Sequence, residues 1–130
     1  MIKVYKAADG KLKQAIEIGN HQIIADEPVS VGGDDQGPGP TELLQAALGS
    51  CTAITVTMVA KRKEMPLKDV RVQVSMEKTA DATRLHREIE LVGELTAEQR
   101  EYLLGIANKC PVHKILSGKI EIDTVLQSAK

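Results

Sequence analysis

The stretch PTELLQAALGSCTAITVTMVAKRK, residues 40–63, decides the fold class, because it predicts one long and mostly apolar helix. Pro40 and Glu42 suit the free N–H groups and the positive dipole end of a helix start. Residues 61–63 are all cationic and stand at the opposite end, where the dipole favours them. Residues 43–60 carry no charge and could span a bilayer, but polar residues interrupt them. A helix buried in a globular protein is therefore the better interpretation.

Short strand patterns precede this helix. They cover residues 2–7, 12–18 and 21–25, and Asp-Gly and Gly-Asn pairs separate them. This spacing predicts an antiparallel three-stranded meander. A loop rich in glycine and proline, residues 29–40, leads from the meander into the helix.

Two more strands and a second helix follow. Valines alternate with polar residues over 70–76, and residues 85–92 are the expected hairpin partner. Thr96 and Gln99 have the spacing of a capping box, which opens a helix to about residue 109. Further helical turns over 112–117 and a last strand over 120–124 complete the pattern. The order predicts a single α+β domain over residues 1–130 with antiparallel sheets. Because the first sheet has no evident core of its own, we expect a dimer.

Composition excludes several classes of function. The chain has 130 residues, a formal net charge of −1, no Phe or Trp and two Tyr. It lacks the positive field and the aromatic platforms of nucleic-acid binders, and we expect no nucleic-acid or membrane partner. The first residues resemble a strand instead of a secretory signal, so we expect reduced cysteines and a cytoplasmic protein.

Cys51 has two interpretations. It lies in the middle of the long helix among small and apolar neighbours, where a packed core cysteine is the ordinary reading. The alternative is a reactive thiol, which needs a cation or a helix N-terminus nearby to favour the thiolate.

Cys110 also leaves two readings open. Pro111 follows it directly, so Cys110 falls at the start of a new helical turn, where free N–H groups stabilise a thiolate. His113 and Lys114 lie within one turn and could add to this effect. The alternative is a helix break with an incidental thiol.

Metal and cofactor sites are not expected. Cys110 and His113 have the spacing of one zinc ligand pair, but a second pair is missing. The chain contains no nucleophile-elbow, Walker A or dinucleotide-binding motif.

Two segments of the chain resemble the OsmC/Ohr family. The segment GPGPTELLQAALGSC, residues 37–51, resembles the helix with the family's first cysteine, and CPVHKIL, residues 110–116, resembles its second-cysteine motif. The resemblance implies an α+β fold, an intertwined homodimer and hydroperoxide reductase activity. It also implies that Cys51 is the peroxidatic thiol and Cys110 the resolving thiol.

The chain departs from the family's pattern at two supporting positions. No arginine precedes Arg62, so Lys11, Lys13 or His21 would have to replace the family's N-terminal arginine. The family's glutamate directly follows the helix-opening proline, but here Glu42 comes one residue later, about 100° around the helix.

Two hypotheses about function follow. In the first, the chain is a two-cysteine peroxidase that reduces organic hydroperoxides and is regenerated by an external dithiol. In the second, it is a module that binds a small apolar ligand or senses redox state without efficient peroxidase activity. Activity that depends on Cys51 would distinguish them.

Overall fold

The computed structural model describes residues 1–128, which form five strands and three α-helices. The chain divides into two compact units, Met1–Ala46 and Ala47–Lys130. The α+β class with antiparallel sheets and one long helix is confirmed. The structure contains one chain, so the homodimer stays a prediction.

The first unit contains the predicted meander. Strands β1 (Ile2–Lys6), β2 (Gln14–Ile18) and β3 (His21–Ala25) pair antiparallel in that order. Ala15 and Ala25 are its buried apolar residues, which leaves the larger side chains of β1 exposed. A short 3-10 turn, Val29–Val31, lies in the following loop.

The Asp26 carboxylate organises the loop after β3. Asp26 is 2% exposed and accepts hydrogen bonds from the backbone N–H groups of Glu27 (2.8 Å), Gln36 (3.1 Å) and Asp34 (3.3 Å). The loop is tight at Gly33, where a Cβ atom would lie 2.0 Å from the Glu27 carbonyl oxygen. The segment is too rich in glycine and proline for regular secondary structure. The buried carboxylate therefore accepts hydrogen bonds from backbone N–H groups that a strand or helix would otherwise pair.

Helix α1 (Pro40–Arg62) begins in the first unit and ends in the second. Its buried residues recur every fourth position and form one stripe: Leu48, Thr52, Val56 and Ala60. Positions i and i+4 lie above one another on a helix, so this stripe is the face against the core of the single chain.

The second unit is built on a long hairpin. Strands β4 (Leu67–Lys78) and β5 (Thr83–Gly93) pair antiparallel, with Val72 opposite Ile89, and a bulge between Leu67 and Asp69 bends the start of β4. The core of this unit joins residues from α1, β4 and the next helix: Val56, Ala60, Val70, Leu103 and Ala107.

The two short helices agree with the sequence pattern, but the last predicted strand was wrong. Helix α2 (Ala97–Ala107) begins with the expected capping box between Thr96 and Gln99, and Cys110 is the N-cap of α3 (Pro111–Ser117). Residues 120–124 form neither helix nor strand in the structure. Alternation alone does not make a strand, because a strand needs a neighbouring edge for its backbone hydrogen bonds.

Candidate active site

Cys51 lies on α1 next to the buried stripe and is partly accessible to solvent. It directly precedes Thr52, which is fully buried. The Thr52 hydroxyl lies 2.7 Å from the carbonyl oxygen of Leu48, one turn earlier, and so has an acceptor for its proton. A free thiol at the margin of a packed face can meet both solvent and groups of the core.

Cys110 occupies the opposite kind of position, because its side chain is completely buried. Its Sγ atom accepts a hydrogen bond from the backbone N–H of His113 (3.3 Å) and lies 3.8 Å from the hydroxyl oxygen of Thr52. The predicted N-cap position at the start of α3 is confirmed.

The two cysteines meet within the second unit. The Cys51 thiol lies close enough to Cys110 to lower the pKa of the Cys110 thiol, and both thiols are free. Helix α1 contributes the partly accessible sulfur, and the turn between α2 and α3 contributes the buried one. This arrangement is a reduced dithiol pair with unequal exposure of its two members.

Arg87 is the cation of this cluster, and sequence reasoning missed it. Its guanidinium donates to the Thr52 hydroxyl (2.9 Å), the Asn108 side-chain oxygen (2.9 Å), His113 Nδ1 (3.0 Å) and the Ala107 carbonyl (3.3 Å). The signal was present in β5, where the more buried positions alternate: Leu85, Arg87 and Ile89. An arginine on the apolar face of a strand is expected to have a specific set of acceptors.

The pKa of the Cys110 thiol lies below its ordinary value. Burial is the largest single influence and raises this pKa, but the lowering influences, led by hydrogen bonds from the His113 backbone and Thr52, together outweigh it. The Cys51 thiol and the positive charge of Arg87 act in the same lowering direction. The cluster therefore favours negative charge on the buried sulfur.

A cavity of about 380 Å³ adjoins this cluster. Arg87 and His113 belong to its wall, with Leu48 of α1 among the apolar residues. The full set of lining residues is Leu48, Thr83, Leu85, Arg87, His113, Leu116 and Ser117. A cavity with leucines on one side and a guanidinium and an imidazole on the other suits a small amphipathic molecule.

Four of the sequence-predicted supporting residues belong to the first unit and have contacts there. Lys13 forms an ion pair with Asp9 (2.9 Å), and the backbone N–H of Lys11 donates to the Asp34 carboxylate (3.1 Å). His21 is exposed at the start of β3. The fourth residue, Glu42, accepts a hydrogen bond from the Gly39 backbone N–H (2.8 Å) at the start of α1. Their roles in catalysis stay predictions.

Among residues 1–128, no group of three or more His, Cys, Asp or Glu side chains is arranged to hold a metal ion. The dithiol cluster is made of sulfur, hydroxyl, imidazole and guanidinium groups. Its chemistry is therefore that of thiols and hydrogen bonds.

The OsmC-like protein family model matches residues 33–125, a segment that includes both cysteines and Arg87. The chain belongs to the OsmC-like family. The resemblance inferred from the two cysteine motifs is thus confirmed, and the match extends across the division between the two units. Among curated proteins, none matches the chain.

Solved structures with the same fold come from several bacteria. An osmotic stress induced and detoxification response protein from Psychrobacter arcticus is 28% identical, with a TM-score of 0.74 over 87% of this chain and 85% of that one. The organic hydroperoxide resistance protein OsmC from Legionella pneumophila is 22% identical (TM-score 0.64; 91% and 88% covered). A hydroperoxide resistance protein from Vibrio cholerae, with captopril bound in one active site, is 19% identical (TM-score 0.63; 93% and 87% covered).

Helix α1 passes the test of length and hydropathy for a membrane span. The same test is passed by core helices of soluble proteins, and α1 falls within the segment matched by the OsmC-like model.

Proposed function

We propose that this OsmC-like protein is a thiol-dependent peroxidase that reduces organic hydroperoxides with Cys51 and Cys110. The observation that supports the proposal is a pair of neighbouring free thiols, one partly accessible and one buried, beside the Arg87 guanidinium. Two of the similar solved structures are of organic hydroperoxide resistance proteins, and this gives the chemistry a precedent in the family.

Cys51 is the thiol that attacks the peroxide, because it is the more accessible of the two. The Cys110 thiolate takes up the proton of the Cys51 thiol, the Cys51 sulfur attacks one peroxide oxygen, and the O–O bond breaks. The alcohol leaves after taking up a proton, and Cys51 becomes a sulfenic acid. Condensation with Cys110 then forms the disulfide and releases water, and an external dithiol reduces it by exchange.

The leucines of the neighbouring cavity favour organic peroxides over hydrogen peroxide. Leu48, Leu85 and Leu116 line a space of about 380 Å³. Each buried CH₂ group of a substrate contributes ~0.8 kcal/mol, and hydrogen peroxide has none to bury. We expect kcat/KM for tert-butyl hydroperoxide to exceed that for hydrogen peroxide by about tenfold or more.

As part of this proposal, the protein acts as a homodimer in the cytoplasm. Large apolar side chains of the second unit remain exposed in the single chain, among them Ile54 (59%), Met58 (56%) and Leu104 (55%). Ile54 and Met58 lie one turn apart on α1, and exposed apolar side chains of this kind favour association with a second copy. A reducing compartment is needed to return Cys51 and Cys110 to thiols after each turnover.

The direct test measures consumption of tert-butyl hydroperoxide in the presence of dithiothreitol. We expect Cys51→Ser to lower the rate to that of the uncatalysed reaction, and Cys110→Ser to slow turnover, because the sulfenic acid must then react with dithiothreitol directly. Ser50→Ala, an exposed neighbour on the same helix, is the matched control and should retain full activity. Undiminished peroxide consumption by Cys51→Ser would refute the proposal.

A ligand-binding or redox-sensing module is the second candidate, and the cavity beside Arg87 favours it. Such a site needs no sulfur chemistry, since leucines and a guanidinium suffice to hold a small amphipathic molecule. If an apolar ligand binds wild type and Cys51→Ser equally and neither consumes peroxide, this candidate replaces the peroxidase.

A further inference from the structure

Arg87 is a part-buried cation whose hydrogen-bond partners are all neutral. They are a hydroxyl, an amide oxygen, a backbone carbonyl and an imidazole nitrogen. No carboxylate forms an ion pair with Arg87 in the described part of the chain. Its positive charge is therefore available to any anion that forms beside it.

Thr52 connects this charge to the buried sulfur. Its hydroxyl accepts from Arg87 Nη1 over 2.9 Å, so its single proton points to another acceptor. Two acceptors are near: the Leu48 carbonyl oxygen at 2.7 Å and Cys110 Sγ at 3.8 Å. When Cys110 is a thiolate, the proton can turn to the sulfur, and Arg87 strengthens the donor by polarising the hydroxyl.

The Cys51 thiol has no comparable connection to Arg87. It lies close to Cys110 and lowers the pKa of the Cys110 thiol. The pair thus shares one proton between two sulfurs when it carries a single negative charge. The His113 backbone N–H donates to Cys110 Sγ, and the Thr52 hydroxyl lies 3.8 Å from it and can turn its proton to a thiolate, so both groups favour the state with the proton on Cys51.

We propose that Arg87 is a positioning residue that, through the Thr52 hydroxyl, keeps the negative charge of the reduced dithiol on Cys110 and the proton on Cys51. This inference concerns the same two thiols as the proposed function. Only its consequence for peroxide turnover rests on that function. It differs from the expectation carried by the family resemblance, in which a cation holds the first cysteine as the thiolate.

The titratable and charged groups that face Cys110 come from three elements. They are Cys51 of α1, Arg87 of β5 and His113 of α3. Because a guanidinium can only donate, the contact of Arg87 with His113 Nδ1 at 3.0 Å requires the neutral tautomer with its proton on Nε2.

The proposal has a consequence for reduction of the disulfide. A thiolate of the external dithiol attacks Cys51 Sγ, which is the more accessible sulfur, and forms a mixed disulfide with it. The Sγ–Sγ bond breaks, and its electron pair leaves with Cys110 as a thiolate stabilised by Thr52 and Arg87. The second thiol of the reductant then displaces Cys51, so the dithiol is oxidised and both cysteines are reduced. A better leaving group speeds the first exchange.

A structural role for Arg87 is the competing explanation. Its guanidinium binds the Ala107 carbonyl and the Asn108 side chain at the C-terminal end of α2, where a cation also complements the helix dipole. That role predicts a loss of stability in Arg87 variants but no change in the titration of Cys110.

The first experiment measures thiolate absorbance at 240 nm against pH. The chain has no Trp and two Tyr, so the protein background is low at this wavelength. Cys51→Ser reports Cys110 alone, and Cys110→Ser reports Cys51 alone. We expect the Cys110 midpoint to be the lower of the two. A lower midpoint for Cys51 would overturn the proposal.

The second step adds Arg87 and Thr52 variants to the Cys51→Ser background. Arg87→Met and Thr52→Val should raise the Cys110 midpoint, and Thr52→Ser should restore it by returning the hydroxyl. Arg84→Met removes an exposed arginine of the same strand and should leave it unchanged. If Arg87→Met does not fold, Arg87→Lys keeps the charge without the guanidinium fork, and an intermediate midpoint is expected. Equal midpoints in wild-type and Arg87-variant backgrounds would overturn the proposal.

The third measurement follows reduction of the Cys51–Cys110 disulfide by dithiothreitol at fixed pH. Arg87→Met should slow it several-fold relative to Arg84→Met, because the leaving thiolate loses its stabilisation. An unchanged rate would contradict the leaving-group role. None of these readouts requires peroxide turnover, so failure of the peroxidase proposal and failure of this one are distinguishable.

Discussion

The Arg87 guanidinium on β5 donates to the Thr52 hydroxyl on α1 over 2.9 Å, and Thr52 is fully buried. The contact places a cation against the polar atom of a helix stripe that is otherwise apolar. Thr52 of α1 and Arg87 of β5 therefore both contribute to the surroundings of the buried Cys110 sulfur.

Replacement of Thr52 by valine should destabilise the protein despite the similar shape of the two side chains. The change removes the acceptor of Arg87 Nη1 and leaves a part-buried donor with one partner fewer. We expect a loss of about 1–3 kcal/mol in the free energy of unfolding, measured by urea titration. Thr55→Val, three positions along the same helix, serves as the comparison and should cost less. Equal losses in the two variants would contradict the role of the contact.

Leu103 and Leu104 are a matched pair for the core of the second unit. Leu103 is completely buried and Leu104 is 55% exposed, although the two are adjacent on α2. Leu103→Ala should lower the free energy of unfolding by about 2–5 kcal/mol, because it removes apolar burial and leaves a cavity. Leu104→Ala should cost well under this in the monomeric protein, and circular dichroism during urea unfolding compares them. A similar cost for both would place the core elsewhere.

Asp26 should make stability depend on acid pH. Burial raises the pKa of its carboxyl, but backbone hydrogen bonds from Gln36, Glu27 and Asp34 lower this pKa. The net shift of the pKa is downward. A pKa depressed in the folded state contributes stability that is present above the unfolded-state value and is lost as pH falls through the folded-state value. Asp26→Asn should therefore lower Tm at pH 7 and lose less Tm on acidification than wild type.

Asp81→Asn is the control for this carboxylate, since Asp81 is exposed in the turn between β4 and β5. Its Tm should follow wild type at every pH. The same acid dependence in wild type and Asp26→Asn would show that the loop is held by other contacts.

Two glycines should respond to alanine in opposite directions. A Cβ atom at Gly105 would meet nothing within 4 Å, and alanine there should stabilise α2 by about 0.5–1 kcal/mol. A Cβ atom at Gly33 would lie 2.0 Å from a backbone carbonyl oxygen, and alanine should cost about 1–3 kcal/mol. Thermal unfolding of the two variants gives the sign directly, and a stabilised Gly33→Ala would mean that the Asp26 loop can move apart.

Local patterns predicted most of the secondary structure. The alternating valines of 70–76 lie in β4, the Thr96–Gln99 capping box opens α2, and Cys110 caps α3. These features depend on neighbours within about four residues, which a sequence displays directly. The strand expected at 120–124 was wrong, because pairing depends on a second segment that alternation does not specify.

The cation of the candidate site could not be predicted in the same way. The family resemblance pointed to Lys11, Lys13 or His21 as the cation. In the structure, Arg87 of β5 is the cation beside Cys110. Its position on the inner face of a strand follows from alternation. The group that it faces across the core does not follow from alternation.

From the sequence alone came the family, the order of strands and helices, and the two cysteines as the chemically distinctive residues. Only the tertiary structure decided that these thiols meet, that Cys110 is buried while Cys51 is partly accessible, and that Arg87 stands beside them. The physical reason is one of range. Helix capping and strand alternation are set within a few bonds of the chain, whereas the charge state of a thiol is set by whichever groups folding packs within a few ångströms of it.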